Sequence, residues 1–291
     1  MRLNELLKKH GFSFSKKYGQ NFISDENLLY AIAEKGGVDR NVPVIEIGCG
    51  AGTLTKVLCE KAKFVYGYEI DRALAPVLGE SLAGIENCEI TFRDIMKEDL
   101  STEEARIGEE YMLVANLPYY ITSPVIMKFI EDSSLCKRIV VMVQKEVALR
   151  ICAEPGTPDY GAITAGIGRV ADAVKIMDVG RENFFPVPNV DSAVVRIDFD
   201  RNKFSGVDPI VYRDLVRVAF SSRRKTLANN LKEWLKVGRE EVEGILNACG
   251  IDPMSRGETL SCENYANLSK KIKEVFPTAF CRNTGGKKSP K

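Results

Sequence analysis

Short β-branched runs recur along the first half of the chain, each followed by residues whose apolar positions repeat at helical spacing. The run "VPVIEIG" (42–48) predicts a buried strand and "TLTKVLCEKA" (53–62) a helix. The pair repeats in "FVYGYEI" (64–70) and "RALAPVLGESL" (72–82). Further strands are predicted at "CEITFRD" (88–94), "YMLVANL" (111–117) and "RIVVMVQ" (138–144). Strands alternating with helices imply an α/β fold with a mostly parallel sheet and right-handed crossovers. After residue 160 the pattern changes: "AITAGIGRVADAVKIMDVG" and "SAVVRIDFD" read as β-rich segments around "FFPVPNV", a loop stiffened by two prolines. From about residue 200 the strands stop. Four helical patterns follow, "IVYRDLVRVAF", "SSRRKTLANNLKEWLK", "REEVEGILNAC" and "SCENYANLSKKIKEVF". Serines suited to N-capping open the second and fourth, and Gly250 ends the third. The expected organisation is an α/β domain over 1–200 and a small all-helical domain over 201–276, with a Gly/Lys-rich tail over 277–291 expected to be disordered.

Composition narrows the chemistry. A chain of 291 residues can bury a full α/β core and carry a smaller second domain. It has no apolar run of membrane-spanning length, and its first residues lack the apolar core of a secretory signal, so a cytoplasmic protein is expected. Eight cysteines without a CxxC pair suggest reduced structural thiols, with no metal site. The single histidine, His10, precedes the first motif, which argues against general-base catalysis by histidine and against Ser-His-Asp arrangements. The net charge of +1 conceals a lopsided distribution: residues 1–20, with Lys16 and Lys17, and residues 201–236 are strongly basic, while 86–110 is acidic. Each charge run could be a solvated face. Two basic segments flanking one domain also suit a polyanion.

The candidate chemistry begins at "EIGCGAG", which joins a strand to a helix and turns backbone amides toward a ligand. Its glycines, Gly48, Gly50 and Gly52, give GxGxG where a dinucleotide site wants GxGxxG. Glu69 ends the second strand, where its carboxylate could accept from both ribose hydroxyls; Asp94 ends the third, where it could accept from an adenine amine. The loop offers no adjacent Lys or Arg for a pyrophosphate. A nucleoside with a cationic sulfonium, S-adenosylmethionine, suits these acids better than NAD.

A second cluster, "VANLPYYITSPV" (114–125), ends a buried run in Asn, Pro and two tyrosines. The exocyclic amine of adenine is a poor nucleophile because its lone pair is delocalised into the ring. The side-chain oxygen of Asn116 and the carbonyl of Leu117 could draw the amine hydrogens out of the ring plane. Pro118 holds that carbonyl rigid, and Tyr119 can stack on the base for about 1–3 kcal/mol. A base reaching such a pocket must first leave its stack. Phe184 or Phe185 could form a second wall, or could merely anchor a loop in the core.

With these motifs in order, the sequence resembles the KsgA family of ribosomal RNA adenine N6-dimethyltransferases. The matching stretches include "KKYGQNFISDENLL", "VIEIGCGAGTLT", "YEIDRAL", "ITFRDIM", "VANLPYYITSPVI", "FFPVPNVDSAVVRI" and "AFSSRRKTLANNL". The resemblance implies a Rossmann-like methyltransferase fold, with cofactor contacts on Asn21, Ile23, Gly48, Gly50, Glu69, Asp94 and Asn116. It assigns the target base to Asn116, Leu117, Tyr119 and Phe184. It further implies dimethylation of two adjacent adenosines in the 3′-terminal hairpin of 16S rRNA, within the 30S subunit, by a monomer. Tyr18 and Cys49 depart from the family's usual Leu and Pro. Arg223, Arg224 and Lys225, placed at the start of a helix, are candidates for binding phosphate without reading sequence. The alternatives are an Erm-type enzyme acting on large-subunit rRNA, an assembly factor that merely retains the fold and, least favoured, an NAD-dependent dehydrogenase.

Overall fold

The computed structural model describes residues 3–14, 19–23, 25–222 and 224–277. The chain divides into two compact units, Met1–Cys152 with Ala171–Asp200, and Ala153–Val170 with Arg201–Lys291. In the first, α1 (Leu3–Lys9), β1 (Phe22–Ile23) and α2 (Glu26–Gly36) precede an alternating core. That core runs β2 (Val44–Ile47), α3 (Thr53–Lys61), β3 (Val65–Tyr68), α4 (Ala75–Ser81), β4 (Cys88–Thr91) and α5 (Leu100–Ile107). It continues with β5 (Tyr111–Asn116), α6 (Tyr119–Asp132), β6 (Cys136–Gln144) and α7 (Lys145–Ile151). Then come β7 (Ala171–Val179), the two-residue β8 (Phe184–Phe185) and β9 (Ser192–Phe199).

The main sheet has the order β4-β3-β2-β5-β6-β9-β7, parallel from β4 through β6 and antiparallel beyond. β2 and β5 are buried along almost their whole length and show no in–out alternation, although β2 carries one acid, Glu46, inside its apolar run. The chain leaves β2 toward β3 on one side and later returns to β5 on the other. This reversal opens a crevice at the C-terminal ends of β2 and β5, where open α/β sheets bind ligands. A separate two-stranded ribbon pairs β1 with β8, setting Ile23 opposite Phe184.

The acidic run at 86–110 is partly structural. Glu104 is buried, and its carboxylate accepts from the Ser133 and Ser134 hydroxyls, from the backbone N–H groups of Ser134 and Leu135, and from Tyr111 Oη. Burial alone would raise its pKa, yet these donors outweigh it and hold the carboxyl below its ordinary value.

The second unit contains α8 (Ala162–Ile167), α9 (Pro209–Ala219), α10 (Leu227–Leu235), α11 (Arg239–Ala248) and α12 (Cys262–Val275). The sequence pattern places α8 in a β-rich segment and a single boundary at residue 200; the structure differs on both. The segment is helical because Ala165 turns into a core with Tyr212, whose hydroxyl donates to the Ala165 carbonyl at 2.9 Å. Only 171–179 of that stretch forms a strand. The second helical pattern also starts later than expected: α10 is capped by Thr226, whose hydroxyl accepts from Asn229 N, so Arg224 and Lys225 precede the helix. The fourth keeps its predicted cap, with Ser261 and Asn264 forming a capping box. Gly257 is required by close packing, since a Cβ there would lie 2.7 Å from the Ala219 carbonyl oxygen.

Candidate active site

The glycine loop after β2 is shaped by the backbone and braced by one carboxylate. Gly48, Gly50 and Gly52 all adopt positive φ, and a Cβ at Gly50 would meet the Phe22 ring at 2.8 Å. Glu69, at the end of β3, accepts from Gly50 N at 2.9 Å through Oε2. Its Oε1 accepts from Ile70 N and Asp71 N, both at 2.8 Å. Burial raises the Glu69 pKa, and the backbone donors partly offset it. The expectation that Glu69 offers itself to two ribose hydroxyls therefore narrows: Oε1 already carries two hydrogen bonds, and capacity remains on Oε2.

These residues line a cavity of about 250 Å³ at the crevice. Asn21, Ile23, Gly48, Gly50, Glu69 and Asp94 come together there with Asn116, Leu117, Pro118, Tyr119 and Phe184, all within the first unit. Asp94 caps a short 3₁₀ turn, with Oδ1 accepting from Met96 N at 3.1 Å. The Asn116 amide donates through Nδ2 to the Asn21 carbonyl at 3.2 Å, which leaves Oδ1 as the acceptor end. Tyr119 opens α6, and its hydroxyl shares a hydrogen bond of 3.0 Å with Ser192 Oγ. Phe184 belongs to the apolar core and still forms part of the cavity wall; its neighbour Phe185 is 43% exposed and packs edge-on against Phe14. Of the pair, Phe184 alone both packs in the core and lines the cavity.

Two charged wall residues were not singled out from sequence. Arg93 is a cation at the wall, but it pairs with Glu98 at 3.3 Å. Glu46 is the more telling. It sits within β2, is 1% exposed, and neither carboxylate oxygen has a hydrogen-bond partner among the described residues. Burial pushes its pKa up to about 8, with the Thr55 hydroxyl and Cys49 thiol beside it easing the shift and the Glu69 carboxylate adding to it. The signal in the sequence was an acid in the middle of "VIEIG", where burial on both faces leaves a charge no solvent.

The phosphate-binding candidates fare unequally. Arg224 and Lys225 are exposed, and Lys225 Nζ pairs with Glu233 at 2.6 Å. Lys16, Lys17 and Arg223 lie outside the described residues, as do the tail from residue 278 and Tyr18. No group of side chains able to hold a metal ion occurs among the described residues.

Comparison with known proteins agrees with this geometry. The family model described as ribosomal RNA adenine dimethylase matches residues 11–273. A Geobacillus thermodenitrificans protein named ribosomal RNA small subunit methyltransferase A is 43% identical over 285 residues, covering 94% of this chain and 96% of its own. A Bacillus licheniformis protein of the same name is 42% identical, with 95% and 97% covered. Among solved structures, a dimethyladenosine transferase from Plasmodium falciparum superposes with a TM-score of 0.74 at 26% identity, covering 87% of this chain and 98% of that one. The 23S rRNA methyltransferase ErmE gives 0.66 at 27%, with 87% and 99% covered. The glycine loop with its carboxylates, the Asn-Leu-Pro-Tyr cluster and a match spanning nearly the whole chain lead to one conclusion: this protein belongs to the ribosomal RNA adenine dimethylase family.

Proposed function

We propose that this protein is an S-adenosylmethionine-dependent dimethyltransferase acting on N6 of two adjacent adenosines in the 3′-terminal hairpin of 16S rRNA. It works on the 30S subunit during assembly, as a cytoplasmic monomer. The observation that carries the reading is the meeting of Asn116, Leu117 and Tyr119 with the glycine loop, Glu69 and Asp94 around one cavity. The names of the relatives, methyltransferases of the small-subunit RNA, favour that substrate over the large subunit.

The residues present fit the donor. Glu46 is an orphaned buried carboxylate at the wall, which suits a cationic ligand. Among the described wall residues the cavity offers a single cation, Arg93, against the acids Glu46, Glu69 and Asp94, a balance that suits a cationic ligand better than a pyrophosphate. Gly48 and Gly50 let backbone approach the ligand closely, Asp94 would accept from an adenine amine, and Asn21 and Ile23 line the cavity beside them. When bound, the donor supplies an electrophilic methyl on a sulfonium. Tyr119 and Phe184 hold the extruded base between them. Asn116 Oδ1 and the Leu117 carbonyl accept the two amine hydrogens, pulling the nitrogen toward sp³ and localising its lone pair. Pro118 keeps that carbonyl in place. No side-chain base is needed, because the amine becomes acidic once it has gained the methyl. The second transfer needs one acceptor fewer, since a monomethylated amine has one hydrogen left.

Incubation with S-adenosylmethionine and unmodified 30S particles, read by mass spectrometry of the adenosines, tests the reading. Dimethyladenosine in the small-subunit hairpin is expected. Product only on large-subunit RNA would replace it with the Erm-type activity, and 30S binding without any product would leave an assembly factor.

A further inference from the structure

The proposed site has two aromatic walls, and a buried hydroxyl anchors one of them. Tyr119 stands at the first position of α6, where its helix has no side-chain cap and the ring is only half-buried. Its phenol nevertheless reaches inward to Ser192 Oγ at 3.0 Å. Ser192 is fully buried and begins β9, the strand lying between β6 and β7, with Gln144 and Val179 as its register partners. The residue before it is pinned as well: the Asp191 carbonyl accepts from Lys145 N at 3.0 Å, and Asp191 Oδ1 accepts from Arg181 N at 3.1 Å. Phe184 lies eight residues upstream in β8, fastened by pairing with Ile23.

We propose that Ser192 is a positioning residue for methyl transfer: its hydroxyl holds the Tyr119 ring at a fixed spacing from Phe184, so that a base entering between them meets a preformed slot. The inference rests on the reading of Tyr119 and Phe184 as base-contacting walls. Stacking uses the face of a ring and makes no demand on its hydroxyl, so the phenol is free to serve as a tether. A ring held at both ends loses its rotamer freedom before the base arrives, and that entropy is then not charged against binding. A base misplaced by about 1 Å from the two oxygen acceptors can cost on the order of 10²-fold in rate.

The test is a double-mutant cycle on unmodified 30S particles, with Ser192→Ala, Tyr119→Phe and the pair combined. Each single variant is expected to lose about tenfold to hundredfold in kcat/KM for the RNA. The Kd for S-adenosylmethionine should stay within about twofold, since the pair lies on the base side. The double variant is expected to fall no further than either single one, because both remove the same bond. Losses that multiply in the double variant would overturn the inference, showing that Ser192 matters only to the sheet. Should Ser192→Ala fail to fold, Tyr119→Phe decides alone: wild-type kinetics there would also overturn it. A wild-type protein that transfers no methyl to any rRNA would sink the functional reading, and this inference with it; a wild type that transfers methyl while its cycle shows no coupling sinks the inference only.

Discussion

Asn116 and Glu46 show what single side chains contribute at this site. The Asn116 amide nitrogen is committed to the Asn21 carbonyl, so its oxygen is presented to the cavity without a rotamer search. Asn116→Ala should lower single-turnover methyl transfer by about 10²–10³-fold, the usual scale for losing one preorganised hydrogen-bonding group at a reacting centre. Its effect on the cofactor Kd, measured by calorimetry, should be much smaller; wild-type transfer would refute the acceptor role. Glu46 makes a pH-dependent statement. With its pKa raised to about 8, the folded protein keeps a proton that the unfolded chain has already lost above the ordinary carboxylate range. Stability should therefore fall as pH rises through that window and level off beyond about pH 8. Glu46→Gln should flatten the profile in thermal melts without donor. A cationic donor favours the charged carboxylate, so wild-type binding near neutral pH should release a proton, seen by calorimetry in buffers of differing ionisation enthalpy. The variant should release none.

At the scale of elements, the loops that carry function are held by groups remote from the chemistry. Glu104 on α5 gathers donors from Tyr111 on β5 and from the α6–β6 turn, tying together the segments on either side of the Asn-Leu-Pro-Tyr cluster. Glu104→Ala leaves several buried donors unpaired and should cost about 3 kcal/mol in denaturant unfolding. Because the folded-state pKa is depressed, the stabilisation from Glu104 is present above its unfolded pKa and is lost as pH falls through the folded one. The two-residue ribbon of β1 and β8 brings Asn21 and Ile23 beside Phe184, although about 160 residues separate them in the chain. The predicted strands at 42–48, 64–70, 88–94 and 111–117 each contain an observed strand, and 138–144 falls within β6, which starts two residues earlier. The central strands announce themselves as buried apolar runs, whereas β4 is only partly buried. The segment that misled, 162–167, is a short helix of small residues whose periodicity cannot be told from a strand without its partners on α9.

For the whole molecule, the net charge of +1 says little, while the placement of charge says more. The acidic run at 86–110, which could have been a solvated face, is in part internal, with Glu103 and Glu104 both buried. Among the described basic residues of the candidate RNA interface, Lys225 is engaged with Glu233, an exposed pair of small energetic weight that a phosphate could displace. If Arg224 and Lys225 bind rRNA phosphates, replacing both with Ala should weaken 30S binding evenly across RNA sequences. The log–log salt slope should then fall by about 0.7–0.9 for each phosphate no longer neutralised, with the cofactor Kd unchanged. An unaltered slope would remove them from the interface. No helix among the described residues is long and apolar enough to cross a membrane.

The sequence by itself determined the alternating α/β pattern, the glycine loop, the acids closing β3 and β4, and the Asn-Leu-Pro-Tyr cluster. Each of these is written in local chemistry: apolar periodicity, positive-φ glycines, and a proline that stiffens its predecessor. Tertiary structure alone decided that Glu69 braces the loop before it can serve a ligand, that Glu46 lies unpartnered at the cavity wall, and that Ser192 grips Tyr119 across the fold. A hydrogen bond between residues 73 positions apart leaves no trace in the composition or spacing of either segment. Whether a buried carboxylate finds a donor is likewise settled only when the chain has closed around it.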